Sequence, residues 1–479
     1  MKARRHLALG MLAGLGVCVP ISIGAAQPMP ETPPPAVPDS QAIRERLDAS
    51  DARAARQEEE LARLQRELAR QSEELARLRA RAAEEAKPAR AVKVEFSGYV
   101  HADWTVWRQS SEDEVNPSNG EPLNQSRVFI RRARLRADAE QRWVLGAVEL
   151  DGNTLKGPTA RILDAEVSGR LPGSDARAPP YVMVTLGLFK IPFGHEVPES
   201  ERTGFFLERT NAMRALFPGN YDLGLRVSGG WRFLRYAIAA MNGDPIGERR
   251  FPGRDPNESR DLLGRAGFDT EVVRGVELRA GFSALTGTGF HEGTPSTKDV
   301  LVWRDANENG IVEITEIQVI AGSAATPSEN FDRFGLGGDV QMTVRVPRAG
   351  QLALTGEVVW AGNLDRGATP ADPVAIGRDL RELGWSVSLT QEITRYAMMG
   401  VRYDRYDPDA DASEQRAVKL VPKDASSSTL AFTGALRYPP LARLIVEYDR
   451  NDNHLGRTVG GVPRRLPDDA LTLRAEVTF

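Results

Sequence analysis

Thiol chemistry is almost missing from this chain: of 479 residues one is cysteine, Cys18, and it lies in the N-terminal apolar stretch. Nothing beyond that stretch can form a disulfide or a thiolate metal site. Long apolar runs are missing too, since after residues 7–19 no segment approaches the ~20 apolar residues a membrane-crossing helix needs. Neither sign of charge dominates, with 62 basic against 66 acidic residues and a net charge of -4. That balance excludes a nucleic-acid binder. Histidine is scarce, and His101, His195, His291 and His454 are scattered without a nucleophile signature. No catalytic residue is assigned on that pattern, and a membrane hydrolase is only a distant alternative. Lysine is scarce as well: eight of the 62 basic residues, so arginine carries the positive charge.

What is present changes character along the chain. Lys2, Arg4 and Arg5 precede the apolar stretch and Gly24-Ala25-Ala26 follow it. This is the pattern of a signal peptide over 1–26, cut after Ala26. Val17 is too large for the place before a lipidated cysteine, which argues against a lipoprotein. Residues 27–39 are a proline-rich extended spacer, with Pro33, Pro34 and Pro35 in a row. From Ile43, positions spaced four and three apart are Leu47, Ser50, Ala54, Gln57, Leu61, Leu64, Leu68, Gln71, Leu75, Leu78 and Ala82. This heptad pattern predicts a coiled coil over 40–88, with Gln57 and Gln71 as register-setting polar positions. A single solvated helix laced by ion pairs is the alternative.

Over 92–479 the period becomes two. Val94, Phe96, Val100, Ala102, Trp104 and Val106 alternate with Glu95, Ser97, Tyr99, His101, Asp103 and Thr105. The alternation returns at 127–140, 143–151, 161–171, 181–189, 222–229, 235–242, 264–271 and 276–285, then at 333–346, 352–360, 383–391, 395–404, 429–437, 443–449 and 471–479. Sixteen such segments, linked alternately by long loops and tight turns, predict an all-β fold: a sixteen-stranded antiparallel transmembrane β-barrel. The apolar face is expected to meet outer-membrane lipid and the charged face a wet lumen all the way round. The last segment ends on Phe479, a C-terminal aromatic that resembles the recognition signature of outer-membrane barrels.

By that parity Arg132, Arg134 and Arg136 stack on the lumen side of the second strand, where they are expected to outnumber nearby acids and attract anions. Arg226, Arg265, Arg279 and Arg333 also point inward, among acids such as Glu149, Asp164, Asp339, Glu357 and Glu447, so cross-strand ion pairing is expected for most. The long link 191–221 carries Glu201, Arg202, Glu208 and Arg209 beside Phe205 and Phe206. It is expected to fold into the lumen and narrow it; lying outside on the rim is the alternative. In link 286–331, residues 305–316 follow the spacing of a calcium-binding loop: Asp305, Asn307 and Asn309 as oxygen donors, Gly310 at the turn, the Ile311 carbonyl, and Glu316 closing it. Ca2+ is the expected ligand, with a merely polar hairpin as the alternative.

Phe129-Ile130-Arg131-Arg132-Ala133-Arg134-Leu135, Leu186-Gly187-Leu188-Phe189-Lys190-Ile191-Pro192-Phe193-Gly194 and Phe206-Leu207-Glu208-Arg209-Thr210 are followed in order by Asp222-Leu223-Gly224 and Met241-Asn242-Gly243-Asp244. Together these segments resemble the phosphate-selective porin O and P family. The resemblance implies a homotrimeric sixteen-stranded channel in the outer membrane of a Gram-negative bacterium, passing small anionic solutes, with phosphate or polyphosphate the candidates. The few lysines and many acids here depart from that family's basic lining. A non-selective or carbohydrate porin is the first rival, and a tether binding peptidoglycan through a periplasmic coiled coil the second.

Overall fold

The computed structural model describes residues 40–85, 92–108, 124–155, 157–174, 178–243, 257–367, 369–416, 418–453, 456–457, 463–465 and 468–479. The expected signal peptide and proline-rich spacer lie outside the described residues, as do the last three of the expected coiled coil. Two compact units result, divided at Ala89 and Arg90. In the first, helix α1 (Ser40–Glu85) runs unbroken. Alanine, leucine, arginine and glutamate dominate it, residues with high helix propensity, and Arg77 and Glu73 pair one turn apart at 3.4 Å. Leu61, Leu64, Leu68, Leu75 and Leu78 are all exposed on it.

The second unit contains β1 (Lys93–Trp107), β2 (Arg127–Gln141), β3 (Val144–Asn153), β4 (Thr159–Leu171), β5 (Val182–Lys190), β6 (Tyr221–Trp231), β7 (Leu234–Met241), β8 (Asp261–Val273), β9 (Val276–His291), β10 (Val300–Trp303), β11 (Ile317–Ile320), β12 (Glu329–Val346), β13 (Gly350–Gly362), β14 (Arg381–Thr394), β15 (Ala397–Asp407), β16 (Ser413–Arg416), β17 (Lys419–Pro422), β18 (Ser427–Tyr438), β19 (Ala442–Asn453), β20 (Gly456–Arg457), β21 (Pro463–Arg464) and β22 (Ala470–Thr478). Sixteen of them close in sequence order into one antiparallel barrel, the fold class the alternation predicts. The remaining six form three hairpins inside long links, β10 with β11, β16 with β17 and β20 with β21.

Closure joins β22 to β1, from Tyr99 opposite Thr478 to Trp107 opposite Ala470. Phe479 and Gly98 exchange backbone hydrogen bonds of 2.9 and 3.0 Å, so the terminal aromatic continues the seam. Glycine is needed there because a Cβ at residue 98 would stand 2.6 Å from both the Phe479 ring and the Arg134 carbonyl oxygen.

Burial is inverted relative to a water-soluble protein. Phe96, Leu186 and Ile238 are 71%, 65% and 64% exposed, whereas Arg134, Arg474 and Glu447 are 7%, 3% and 1% exposed. A belt of outward apolar side chains on strands whose every edge is paired is the arrangement that lipid permits.

The interior departs from the expected charged lining. Phe189, Ala239, Met241, Leu263, Leu285, Val359, Ala361 and Tyr406, inward from β5, β7, β8, β9, β13 and β15, form a dry core with Ile191, Phe193, Val197, Met213, Leu216 and Phe217 of the β5–β6 link and with Leu364. Part of the cylinder is thus filled by protein, and the inward faces there are apolar because they pack against a loop instead of water.

Candidate functional site

Between β5 and β6 the chain leaves the wall and enters the lumen, as expected for link 191–221. A segment without sheet partners still has to satisfy its backbone groups, and here the wall's charged side chains do so. Gly194 N donates to Ser283 Oγ at 3.1 Å, and His195 and Glu196 N to the Glu357 carboxylate at 3.0 and 3.2 Å. Leu207 N donates to Glu447 at 3.1 Å and Asn211 N to Asp404 at 3.0 Å. Arginines take the carbonyls: Arg474 reaches Leu207 O at 2.9 Å, Arg402 reaches Glu208 O at 2.8 Å, and Arg443 reaches Arg202 O at 2.6 Å. Many inward charges of β13 to β22, together with the Ser283 hydroxyl of β9, therefore hold the loop. Its short helix α2 (Asn211–Leu216) buries Ala212, Met213, Ala215 and Leu216. Phe193 fits where β12 has no side chains, since a Cβ on Gly337 would lie 2.7 Å from its ring.

The three arginines of β2 do face inward, but they do not outnumber their acids. Arg132 meets Glu208 at 3.2 Å, and Arg134 meets Glu201 at 2.7 Å and Asp151 at 3.1 Å. Arg136 meets Asp164 at 2.7 Å and Asp138 at 2.9 Å. Loop residues 201 and 208 supply two of those carboxylates, which strand parity alone does not reveal. Arg226 pairs with Glu166 at 3.2 Å, Arg265 with Asp339 at 2.6 Å, Arg279 with Asp269 at 3.3 Å and Arg333 with Asp261 at 2.9 Å, as cross-strand pairing predicts. Arg209 binds Glu201 at 2.7 Å, while Arg202 is exposed.

One contributor is invisible to a period of two. The register of β1 against β2 slips between His101 and Ala102, which pair with Arg132 and Ile130 and leave Arg131 as the extra residue of a bulge. Arg131 thereby joins Arg132 on the lumen side and binds Glu208 through two hydrogen bonds, at 2.6 and 2.9 Å.

Burial pushes the Glu208 carboxyl up, but Arg131 and Arg132 outweigh it and hold the group well below the usual range. Glu201 is burdened by burial in the same way and held well below by Arg134, Arg209 and Lys190. Carboxylates with depressed folded-state values stabilise the docked loop fully above about pH 4.3, the unfolded range, and lose this effect only as pH falls through the lower folded values. Single-channel conductance is accordingly expected to stay constant from neutral pH to about pH 5. A conductance step inside that window would mean that a loop carboxylate titrates above its ordinary range instead of below it.

A second inward segment, 363–367 at the start of the β13–β14 link, has no forewarning in the sequence. Leu364 and Asp365 N donate to Glu382 at 2.8 and 3.1 Å, and Arg366 and Gly367 N to Ala215 O at 3.0 and 2.9 Å. It thus meets α2 at Ala215. Between the two segments and the β2–β4 wall lies a cavity of about 760 Å³, lined by Arg131, Arg132, Arg161, Glu208, Arg214 and Arg366 among others.

Residues 305–316 cap the β10–β11 hairpin. The Asp305 carboxylate accepts from Asn309 N at 3.1 Å and Gly310 N at 2.7 Å, and Asn309 Oδ1 accepts from Ile311 N at 2.7 Å. Glu316 folds back to accept from Ala306 N at 3.1 Å and Trp303 Nε1 at 3.1 Å, with Gly310 at φ +71° making the turn. Oxygen donors from Asp305, Asn307, Asn309 and Glu316 suit a hard cation. Among the described residues no three His, Cys, Asp or Glu side chains group as a metal cluster, so amide and carbonyl oxygens, Ile311 included, would complete the set.

No protein-family model matches the chain, and no curated protein matches it. Among solved structures it is similar to OmpT, an outer membrane protein of Vibrio cholerae in a trimer form, at 10% identity and a TM-score of 0.44 over 81% of this chain and 100% of that one. It is also similar to the outer membrane channel DcaP of Acinetobacter baumannii, at 12% identity and a TM-score of 0.47 over 81% and 98%. A third is the anion-selective porin from Comamonas acidovorans, at 11% identity and a TM-score of 0.45 over 81% and 100%.

Proposed function

We propose that the protein is an outer-membrane porin that passes small anionic solutes by passive diffusion, phosphate or polyphosphate among them. One observation carries this reading: a closed sixteen-stranded barrel, apolar outside and charged inside, with a loop inserted into its lumen. Sixteen strands enclose an aqueous passage too wide for side chains alone to fill, and the inserted loop narrows it to a size at which wall charge matters. Zero-current potentials of the purified protein in planar bilayers under a KCl gradient test it, with anion preference expected. Cation preference would sink the anionic part, and absence of any conductance would sink the channel. The pairing of the β2 arginines with acids favours a second reading, a weakly selective or carbohydrate porin, which the same recording separates by a potential near zero.

The exposed leucine seam of α1 supports a homotrimer in which three periplasmic helices cover one another's leucines. A peptidoglycan tether is the rival use of that helix, and retention of the protein on isolated cell wall without any conductance would favour it. For residues 305–316 we infer Ca2+ binding with a dissociation constant on the order of 10⁻⁴ to 10⁻³ M, the range of extracellular sites. Calorimetry should show calcium uptake that Glu316→Gln abolishes, and no uptake by the unaltered protein would retire the site.

A further inference from the structure

The tight-turn end of the barrel is basic in a way that its interior is not. Six of the short turns lie wholly within the described residues, those after β2, β6, β8, β12, β14 and β18. Five carry one exposed arginine each, Arg142, Arg232, Arg274, Arg348 and Arg395, and none of the six carries an acid. Acids at the ends of the adjoining strands are already engaged: Glu140 by Arg170, Asp269 by Arg279 at 3.3 Å and Glu392 by Arg437 at 3.0 Å. Among the described residues none of the five turn arginines has an ion-pair partner. Lumen arginines such as Arg226, Arg265 and Arg333 all have one.

Three of the five lie over exposed aromatic rings: Arg142 over Trp143 at 4.8 Å, Arg232 over Trp231 at 4.7 Å and Arg395 over Tyr396 at 4.5 Å. Those rings border the outward apolar belt, beside Val144, Leu234 and Ile393. Tryptophan and tyrosine concentrate where hydrocarbon meets headgroups, so guanidiniums stacked on them stand at headgroup depth. Arg142, Arg232 and Arg348 have φ of +21°, +55° and +70°, a region where glycine incurs no steric cost and arginine does. Four of the turns are neighbours round the rim. Asp269 N donates to Phe233 O at 2.8 Å, Arg345 N to Gly275 O at 2.8 Å and Gln391 Nε2 to Ala349 O at 3.4 Å.

We propose that this rim binds the headgroups of anionic phospholipid in the leaflet that adjoins it, with the arginines as donors and the rings as anchors. A guanidinium fork matches two phosphate oxygens, and an anionic phospholipid brings one negative charge for each unpaired arginine. Short turns face the periplasm in barrels of this kind, which makes the inner leaflet the partner. An acidic polymer of the cell wall would also meet basic turns, but it has no use for rings set at the edge of the apolar belt. The proposal requires that the barrel span a membrane and is independent of which solutes pass through it.

Electron spin resonance of the full chain in phosphatidylcholine vesicles, with spin-labelled phosphatidylglycerol or phosphatidylcholine as probe, gives the share of each lipid immobilised on the barrel. The unaltered protein should favour phosphatidylglycerol about five-fold, the scale of one cation at an anionic lipid surface. Arg142→Gln, Arg232→Gln, Arg274→Gln, Arg348→Gln and Arg395→Gln combined should bring the two lipids near parity, with the heat-dependent gel shift reporting a folded barrel. The same five positions changed to lysine should keep the preference. If the glutamine variant does not fold, Arg395→Gln alone should weaken the preference, and 1 M KCl should weaken it in the unaltered protein. Parity in the unaltered protein, or a preference that neither the glutamines nor salt reduce, would overturn the proposal. Lipid parity together with cell-wall binding that the glutamines abolish would overturn it too, and assign the rim to the wall polymer. A protein without conductance that still selects phosphatidylglycerol would sink the channel and leave the rim standing.

Discussion

Phe193→Ala is expected to raise single-channel conductance several-fold while the barrel stays closed. Phe193 is fully buried, its ring 4.8 Å from that of Phe217 and seated over the bare backbone of Gly335 and Gly337. Truncating a buried phenylalanine costs about 3–5 kcal/mol. A loop docked inside a barrel opens locally at far less than the cost of global unfolding, so the loss falls on docking and not on the sixteen paired strands. The hydrogen bonds flanking Phe193, from Gly194, His195 and Glu196 to the wall, then compete with water admitted beside them. Gly337→Val should act from the opposite side, because its side chain would occupy the space of the ring. Single-channel recording alongside the heat-dependent gel shift of a folded barrel checks the prediction. Unaltered conductance with the shift preserved would mean that the loop does not set the width of the passage.

Much of the architecture was legible because a strand's side-chain period is two and lipid allows no unpaired edge. The sixteen segments from 94–106 to 471–479 correspond to the sixteen barrel strands, and the charges and aromatics of link 191–221 suit it to the inward placement it takes. Four features were not legible, each for a physical reason. Arg131 faces the lumen through a bulge, and a strict alternation assigns it to lipid. Leu263, Leu285 and Val359 point inward because a loop covers them, a tertiary fact that no local pattern carries. Arg366 and Gly367 meet α2 through backbone hydrogen bonds to Ala215 O, which any sequence provides. The acids opposing Arg132 and Arg134 were hidden for a related reason. Glu201 and Glu208 lie on the inserted loop, some seventy positions along the chain, and not on neighbouring strands.

That hidden opposition sets the sign of the other large effect. Replacing Arg132, Arg134 and Arg136 together by alanine removes three positive charges from one wall and leaves Glu149, Asp151, Asp164, Glu201 and Glu208 facing the lumen with less compensation. The zero-current potential under a salt gradient should then move toward cation preference, by more than neutralisation of unpaired arginines would give, because each loss also frees a carboxylate. Stripping the partner from a buried ion pair costs about 3–5 kcal/mol, so the triple variant is read beside Arg136→Ala, whose arginine is the most exposed of the three at 27%. The single change should shift the potential in the same direction and by less, with the loop still docked through Arg131 and Arg474. A shift toward anions in either variant would mean that the freed carboxylates are protonated or turned away from the passage, and that the β2 wall does not set selectivity.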